Sequence, residues 1–233
     1  DNVRGCDVFV IQPTCSPVDH HLMELLLLID GLRRASAARV TAVIPYYGYA
    51  KQEKKTSGRE PISAKLVANL IRTAGADRVL TMDLHAPAIE GFFDIPVDHL
   101  QAGPLLADYV RDLNLPNPVV VSPDAGGVGR ANRFRERIGA GLAIIAKPRP
   151  EPDIAEVLEM VGEVEDKTAI IVDDMTALAN IKQSNLVETI VTNTIPLAPD
   201  AVHARIHAIS VAPLFAEAIM RIHKDLSLSA LFA

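Results

Sequence analysis

The chain has 233 residues, of which 49% are hydrophobic and 4% aromatic, and its formal net charge at pH 7 is −6. This length suits one large or two small α/β domains with a mainly aliphatic core. The acidic balance argues against general nucleic-acid binding, which usually needs a basic face. Cys6 and Cys15 lack metal-site spacing, so a reducing cytoplasm is expected rather than a disulfide framework. No apolar run reaches the roughly 18–20 residues of a membrane span, and the opening at Asp1 is not expected to be a signal peptide.

Strands and helices are predicted to alternate along the chain with short connections. The strands are expected at 7–12, 40–44, 79–82, 119–121, 142–145, 169–172, 189–191 and 206–211. The helices are expected at 18–37, 61–74, 104–111, 130–138 and 213–222. Helical spacing predicts core-facing residues in the first two helices, namely Leu22, Leu25, Leu26, Ile29, Leu32, Ile62, Leu66 and Leu70. The alternation is typical of an α/β fold with parallel sheets, and a soft domain boundary is expected near Gly103.

Four of the predicted strands end abruptly in polar turns. These turns are Tyr46 to Gln52, Asp83 to His85, Ser122 to Gly127, and Asp173-Asp174. A short β-branched run that closes on acids, glycines or histidine is typical of a parallel strand whose carboxyl end faces a ligand crevice. The sequence therefore predicts polar sites gathered at the carboxyl edge of a sheet.

Two of these turns carry groups suited to phosphates and metals. Asp124 precedes Gly126 and Gly127, and Arg130 follows in the next helix, which favours a phosphate or metal–phosphate site over an ordinary strand–helix turn. His85 could be a metal ligand, a phosphate donor or a structural histidine, and the residues alone leave these alternatives open.

The loop at 46–59 carries three tyrosines followed by four cations. Aromatic rings before a cluster of cations suit a purine base with a polyphosphate tail. On charge alone, a solvated loop is the better explanation, although it does not explain Gly48 and Tyr49 before the cations. Lys147 and Arg149 lie in a proline-broken stretch and could close over a transferring phosphoryl group, although solvated charge is favoured from that stretch alone.

Asp173 and Asp174 follow a strand predicted to be buried. Such a pair can hold sugar hydroxyls or a metal, and the alternative is a helix cap or a solvated turn. A sugar-phosphate site would need small, glycine-rich residues next, but residues 175–180 contain no glycine. The acid pair is present without the phosphate cradle expected after it.

Five segments together carry a family resemblance. They are Val43–Ala50, Arg59–Lys65, Thr81–Ala86, Gly91–Asp98 and Ser122–Val128. In this order they closely resemble the bacterial type of ribose-phosphate pyrophosphokinase (phosphoribosyl pyrophosphate synthetase). The similarity is nearly continuous up to Met175 and resumes near Asn185.

The resemblance implies two phosphoribosyltransferase-like domains, at 1–102 and 103–233, each with a mainly parallel sheet flanked by helices. The C-terminal helix is expected to pack back on the first domain. The implied reaction transfers the pyrophosphoryl group of ATP to the 1-hydroxyl of ribose 5-phosphate and gives phosphoribosyl pyrophosphate and AMP. Magnesium, a cytoplasmic location and homo-hexamers built from dimers are implied as well, with no nucleic-acid or membrane partner.

The resemblance also gives roles to the candidate residues. It implies that Lys51, Gln52 and His85 contact ATP, and that His85 and Asp124 bind magnesium. Lys147 and Arg149 match a mobile catalytic loop. Asp124, Gly126 and Gly127 match the family's phosphate loop. Asp173 and Asp174 match the start of its ribose-phosphate loop.

The chain departs from the family pattern in several places. Lys51 and Asn132 stand where the family has arginine, and the catalytic loop begins Ala146-Lys147-Pro148-Arg149. The family's segment before Asp1 and its phosphate cradle after Met175 are missing.

Two explanations stay open for the missing parts. Either the sequence joins pieces of a longer chain, or the protein is a non-catalytic relative that acts as a regulatory or assembly subunit and binds nucleotide or phosphate. The first predicts a Cα–Cα distance across Met175 and Thr176 well beyond the ~3.8 Å of a trans peptide. A phosphoribosyltransferase that consumes the activated sugar is disfavoured by the loops at 46–59 and at Lys147.

Overall fold

The computed structural model describes residues 2–146, 159–173, 187–197 and 206–231. These residues divide into two compact units. The first unit takes in 2–102, 192–197 and 208–231, and the second takes in 103–146, 159–173, 187–191 and 206–207. Within these described residues, none of the helices has the length and apolar character needed to cross a membrane.

The described strands and α-helices are numbered in chain order. The strands are β1 (Asp7–Ile11), β2 (Arg39–Ile44), β3 (Arg78–Met82), β4 (Val97–Leu100), β5 (Pro118–Ser122), β6 (Gly141–Ala146), β7 (Glu159–Val161), β8 (Thr168–Ile171), β9 (Thr189–Thr192) and β10 (Ile206–Ile209). The helices are α1 (Val18–Arg34), α2 (Ser63–Ala74), α3 (Gly103–Asp112), α4 (Val128–Ile138) and α5 (Ala212–His223). Short 3₁₀ helices occupy Pro87–Phe92 and Ser229–Leu231.

Each unit is built on a mainly parallel sheet. In the first sheet the strand order is β1-β2-β3-β4, and all three strand pairs are parallel. In the second sheet the order is β7-β6-β5-β8, with parallel pairing except between β6 and β7. A separate two-stranded sheet pairs β9 with β10. The predicted fold class, α/β with mainly parallel sheets flanked by helices, is confirmed.

Aliphatic side chains from α1, α2 and the first sheet form the core of the first unit. Leu22, Leu25 and Ile29 of α1 are buried, as predicted, and Leu26 and Leu32 pack against them partly buried. The prediction for α2 is wrong, because Ile62, Leu66 and Leu70 are 36%, 57% and 38% exposed. The buried face of α2 consists of Ala64, Val67, Ala68 and Ile71. Both faces have helical spacing, so spacing alone could not select between them.

The strand before Asp173 is less buried than the sequence predicts. Ile171 of β8 is 50% exposed, whereas Val120 of β5 is fully buried. The reason is position in the sheet, since β5 pairs on both sides, whereas β8 pairs with β5 alone among the strands that the structure describes. The apolar composition of β8 suits an interior strand, but it lies at an edge of the sheet formed by the described residues.

The helix α5 lies in the first unit and is attached to the amino ends of β1 and β2. The Arg39 side chain donates to both oxygens of Asp7, from Nε to Oδ1 (2.8 Å) and from Nη2 to Oδ2 (2.6 Å). It also donates to the carbonyl oxygen of Ile222 at 3.2 Å. His223 Nδ1 lies 2.9 Å from Asp7 Oδ2. The hydrogen bonds from Arg39 lower the pKa of Asp7 more than partial burial raises it.

We expect Asp7→Asn to lower the free energy of unfolding by about 1–3 kcal/mol at pH 7, since a charge-assisted bidentate pair is lost. The folded-state pKa of Asp7 is lowered. The stabilisation should therefore be complete above the usual carboxyl value of about 4 and disappear as the pH falls through the lowered pKa. Urea unfolding at several pH values measures this difference.

The control for this prediction is Asp30→Asn. Asp30 pairs with Arg34 on the outer face of α1, where the two side chains are 49% and 79% exposed. An exposed pair of this kind should contribute less than about 1 kcal/mol. Equal losses in the two variants would contradict a special role for Asp7.

Candidate functional site

The loop that follows β2 is fixed to the end of β1 through Thr14. The amide and hydroxyl of Thr14 both donate to the carbonyl oxygen of Tyr46 at 2.9 Å. The same hydroxyl accepts from the amide of Gly48 at 2.7 Å. A Cβ atom at Gly48 would lie only 2.5 Å from the Thr14 carbonyl oxygen and 2.5 Å from Val18 Cγ1. The chain therefore reaches Lys51 along a path that requires glycine at position 48.

The three tyrosines of this loop do not form one aromatic platform. Tyr47 is buried, donates its hydroxyl hydrogen to the carbonyl oxygen of Ala64 (3.0 Å), and meets Phe93 edge-on. Burial raises the pKa of Tyr47. Tyr46 and Tyr49 are 36% and 40% exposed, so their rings remain accessible at the sheet edge.

Lys51 and Gln52 are exposed at the end of this segment. The backbone of Gln52 is tied on both sides, since its amide donates to Tyr49 (2.9 Å) and its carbonyl oxygen accepts from Ala64 (3.3 Å). The cationic stretch that follows is ordered by Glu60. Its carboxylate accepts from the amides and hydroxyls of Thr56 and Ser57, which lowers the pKa of Glu60 to about 2.

The turn after β3 presents His85 at the same edge of the first sheet. Asp83 has a positive φ of 44°, its amide donates to the Leu100 carbonyl oxygen (3.0 Å), and its carboxylate accepts from Ala102 (3.2 Å). His85 is exposed. In the loop after β2, the hydrogen bond from Lys54 lowers the pKa of Glu53, and the charge of His85 contributes in the same direction.

The turn after β5 holds Asp124 in a fixed orientation. Ser122 Oγ donates to the Asp124 carbonyl oxygen (2.8 Å), and the Gly127 amide donates to Asp124 Oδ1 (2.7 Å). A Cβ atom at Gly127 would lie 2.9 Å from Ser122 Oγ, so a larger residue there would displace the hydroxyl that donates to Asp124. The amide of Gly127, expected to face a phosphate, serves Asp124 in this structure. Gly126 is exposed.

Asp173 leaves the second sheet beside this turn. The register pairs Val121 with Ile171, and the Val172 amide donates to the Val121 carbonyl oxygen at 3.2 Å. Asp173 is therefore exposed at the edge that carries Asp124. Lys147, Arg149, Asp174 and the junction of Met175 with Thr176 lie outside the described residues.

Sequence reasoning missed two residues that shape these turns. The sequence predicts Thr14 only as part of a turn, although it forms hydrogen bonds to Tyr46 and Gly48 in the loop after β2. His99 lies in β4, which was not predicted because Val97-Asp98-His99-Leu100 has little apolar character. His99 accepts from the amide of Leu84 (2.9 Å) and so contacts the turn that carries His85.

The exposed side chains at the strand ends suit a metal ion that is bound mainly by the phosphate groups of a substrate. Within the described part of the chain, no group of three or more His, Cys, Asp or Glu side chains could enclose a metal ion. Magnesium is usually bound through one or two carboxylates together with substrate phosphates and water. The exposed carboxylate of Asp124 fits such a site. The imidazole of His85 is a less typical magnesium donor, since this metal prefers oxygen.

The chain is similar to known proteins along its length. Residues 1–75 match the N-terminal domain of ribose phosphate pyrophosphokinase, 97–180 match a phosphoribosyl transferase domain, and 176–233 match a phosphoribosyl synthetase-associated domain. A ribose-phosphate pyrophosphokinase of Oceanobacillus iheyensis is 46% identical over an alignment that covers 100% of this chain and 84% of that protein. The chain belongs to the ribose-phosphate pyrophosphokinase family. The family predicted from the sequence motifs is thus confirmed.

Other members of the ribose-phosphate pyrophosphokinase family support the assignment. The relative from Caldanaerobacter subterraneus is 49% identical, with coverage of 100% of this chain and 84% of its own. The crystal structure of phosphoribosylpyrophosphate synthetase from Mycobacterium smegmatis superposes with a TM-score of 0.87 at 39% identity, covering 97% of this chain and 85% of that one. None of these comparisons favours the non-catalytic alternative.

The family alignments contain positions that this chain lacks. The alignment with the Oceanobacillus iheyensis relative runs over 265 positions, whereas this chain has 233 residues, so at least 32 positions have no counterpart here. The phosphoribosyl transferase match ends at 180 and the synthetase-associated match begins at 176. The two matches therefore meet at the place where the phosphate cradle was expected.

The loop after β2 provides a matched pair of glycine substitutions. We expect Gly48→Ala to lower the free energy of unfolding by about 1–3 kcal/mol, since its Cβ would overlap Thr14 and Val18. Gly58→Ala is the control, because a Cβ there meets nothing within 4 Å in the same loop. Urea denaturation measures both, and equal stability of the two variants would contradict the close approach at Gly48.

Proposed function

We propose that this protein transfers the pyrophosphoryl group of ATP to the 1-hydroxyl of ribose 5-phosphate, giving phosphoribosyl pyrophosphate and AMP. The observation that carries the proposal is the 46% identity to relatives named ribose-phosphate pyrophosphokinase, which extends over the whole of this chain. The polar residues at the carboxyl ends of parallel strands support it, because nucleotides and phosphorylated ligands bind at such edges in α/β proteins.

ATP is assigned to the carboxyl edge of the first sheet. Lys51 supplies a compact positive charge to the phosphates, and Gln52 is presented beside it on a backbone tied to α2. His85 contacts the nucleotide from the turn after β3. The clamp of Thr14 on the preceding segment supports this assignment, since it reduces the conformational freedom that binding would otherwise have to remove.

Ribose 5-phosphate is assigned to the carboxyl edge of the second sheet. Asp173, with Asp174 following it in sequence, accepts hydrogen bonds from the sugar hydroxyls. The exposed Gly126 has no side chain to obstruct a phosphate that approaches the loop backbone. Gly127 fixes Asp124 through its amide, so the carboxylate is oriented before the ligand arrives.

The chemistry assigned to these residues is positional and electrostatic. The oxygen of the sugar 1-hydroxyl attacks the β-phosphorus in line, and its proton passes to solvent. The bond between the β-phosphorus and the oxygen that stays with AMP breaks, and no covalent enzyme intermediate forms. Lys147 and Arg149 are assigned to neutralising charge on the transferring group. Magnesium would supply charge neutralisation on the phosphate oxygens when bound. Asp124 is assigned as a magnesium contact in the second unit, and His85 as one in the first.

We also assign the protein to the cytoplasm and to homo-hexamers built from dimers. Apolar side chains on the outer face of α1 are compatible with contacts between copies. Met23, Leu27 and Leu28 are 55%, 65% and 46% exposed there. An exposed apolar surface of this kind usually marks an interaction site.

An assay for AMP formation from ATP and ribose 5-phosphate tests the reaction. We expect Asp124→Asn to lower kcat/KM by about 10- to 100-fold and Lys51→Ala to raise KM for ATP by a similar factor. Lys224→Ala, an exposed lysine at the end of α5, is the control and should behave as wild type. Absence of AMP formation by the intact protein would contradict the proposal, and retained nucleotide binding would then favour a non-catalytic subunit.

The missing alignment positions call for a separate measurement. We propose that the intact protein contains a phosphate cradle after Asp174 that this sequence lacks. Denaturing mass spectrometry of the protein made from its natural gene should then give a mass well above 25.1 kDa. Native mass spectrometry of the same sample should give six copies. A chain mass equal to 25.1 kDa would contradict the cradle and favour the non-catalytic relative.

A further inference from the structure

The turn that carries His85 is held by residues 99–102 at the end of β4. Two of its contacts use the Leu100 carbonyl oxygen and the Ala102 amide, which are backbone groups. The third contact is different, because the Leu84 amide donates to the Nε2 atom of His99 at 2.9 Å. The hold on the turn therefore depends on one particular side chain from the neighbouring strand.

The Leu84 contact fixes the tautomer of His99. A backbone amide can only donate, so Nε2 must be the unprotonated nitrogen of the neutral ring. The ring hydrogen then sits on Nδ1, which lies 2.6 Å from Glu90 Oε1. Glu90 belongs to the 3₁₀ helix between β3 and β4. Its carboxylate thus stabilises the tautomer that leaves Nε2 able to accept from Leu84.

Burial makes this contact hard to replace. The His99 side chain is 12% exposed, and Leu84 is 8% exposed and packs in the core of the first unit. Water has little access to the Leu84 amide, and a buried amide without an acceptor is unfavourable. Loss of Nε2 should therefore move the turn rather than leave the amide unpaired, and His85 would move with it.

We propose that His99, oriented by Glu90, is a positioning residue for His85. Glu90 sets the ring tautomer, His99 holds the Leu84 amide, and the turn then presents His85 to the nucleotide. His99 acts through Leu84 and takes no part in the chemistry. The role of His85 toward ATP rests on the proposed function, whereas the hold of His99 on the turn does not.

Two substitutions distinguish the effect of the hydrogen-bond acceptor of His99 from the effect of the volume of its ring. In His99→Gln, the side-chain oxygen can reach the place of Nε2 and accept from Leu84, while His99→Phe keeps a ring and has no acceptor. We expect His99→Phe to lower kcat/KM for ATP by about 10- to 100-fold and His99→Gln to restore most of that loss.

The control variant is His223→Phe. His223 also contacts a carboxylate, that of Asp7, but it does so at the amino end of β1, away from the turn of His85. This variant should keep kcat/KM close to wild type. A His99→Gln variant as impaired as His99→Phe, or a His99→Phe variant with wild-type kcat/KM, would overturn the positioning role.

Measurements without turnover keep the proposal independent of the reaction. Nitrogen-15 NMR of the wild-type histidine rings should find the hydrogen of neutral His99 on Nδ1, and the Leu84 amide should exchange slowly in wild type and in His99→Gln. A ring hydrogen on Nε2 would overturn the inference, even if His99→Phe fails to fold. If the wild-type protein forms no AMP, the proposed function fails, while the tautomer and the amide exchange still decide the role of His99.

Discussion

The central constraint in this protein is the burial of its parallel strands. Val43, Leu80 and Val120 are fully buried, in β2, β3 and β5 respectively. The backbone groups of such strands pair with neighbouring strands, and their side chains pack against helices, so polar chemistry is confined to the places where the strands stop. Every candidate site residue in the described part of the chain follows a strand for this reason.

A strand end is useful only if the chain that leaves it is held in place. Thr14 clamps the segment after β2, Ser122 and Gly127 fix the turn after β5, and His99 holds the turn after β3. These contacts use hydroxyl, amide and ring groups that are themselves largely buried. The amino ends of the first sheet have a different role, since Asp7 and Arg39 there attach α5. The residues proposed to bind ATP and the attachment of α5 thus lie at opposite ends of the first sheet.

Much of this arrangement could be predicted from the sequence. The long apolar runs predicted β2, β3 and β5 within a residue at each end. The polar turns after β3, β5 and β8 gave His85, Asp124 and Asp173 as predicted site residues. The predictions that were wrong concern features that depend on neighbouring elements in the fold rather than on the local sequence pattern. Leu66 and Leu70 have helical spacing but lie on the exposed face of α2. The strand β8 is apolar, but among the described strands it has a partner on one side only.

The misses at the site have the same origin. The sequence suggested that the ring of Tyr47 could contact a purine base, yet Tyr47 is buried against Phe93. His99 lies in a strand that is hard to recognise, because Asp98 and His99 interrupt its apolar residues. Its hydrogen-bond partner is the amide of Leu84, fifteen residues earlier in the chain. Local sequence cannot specify which side chain meets which turn across a sheet. Lys147, Arg149 and Asp174 lie in the segments 147–158 and 174–186, outside the described residues. Their roles therefore remain predictions from the sequence.

The most direct test of this account is amide hydrogen exchange of the whole protein with and without ATP and magnesium. The account predicts slower exchange in the nucleotide complex at residues 46–52 and 83–85, with no change at the amino ends of β1 and β2. Unchanged exchange at 46–52 and 83–85 under conditions where ATP binds would contradict the placement of the nucleotide at the carboxyl edge of the first sheet.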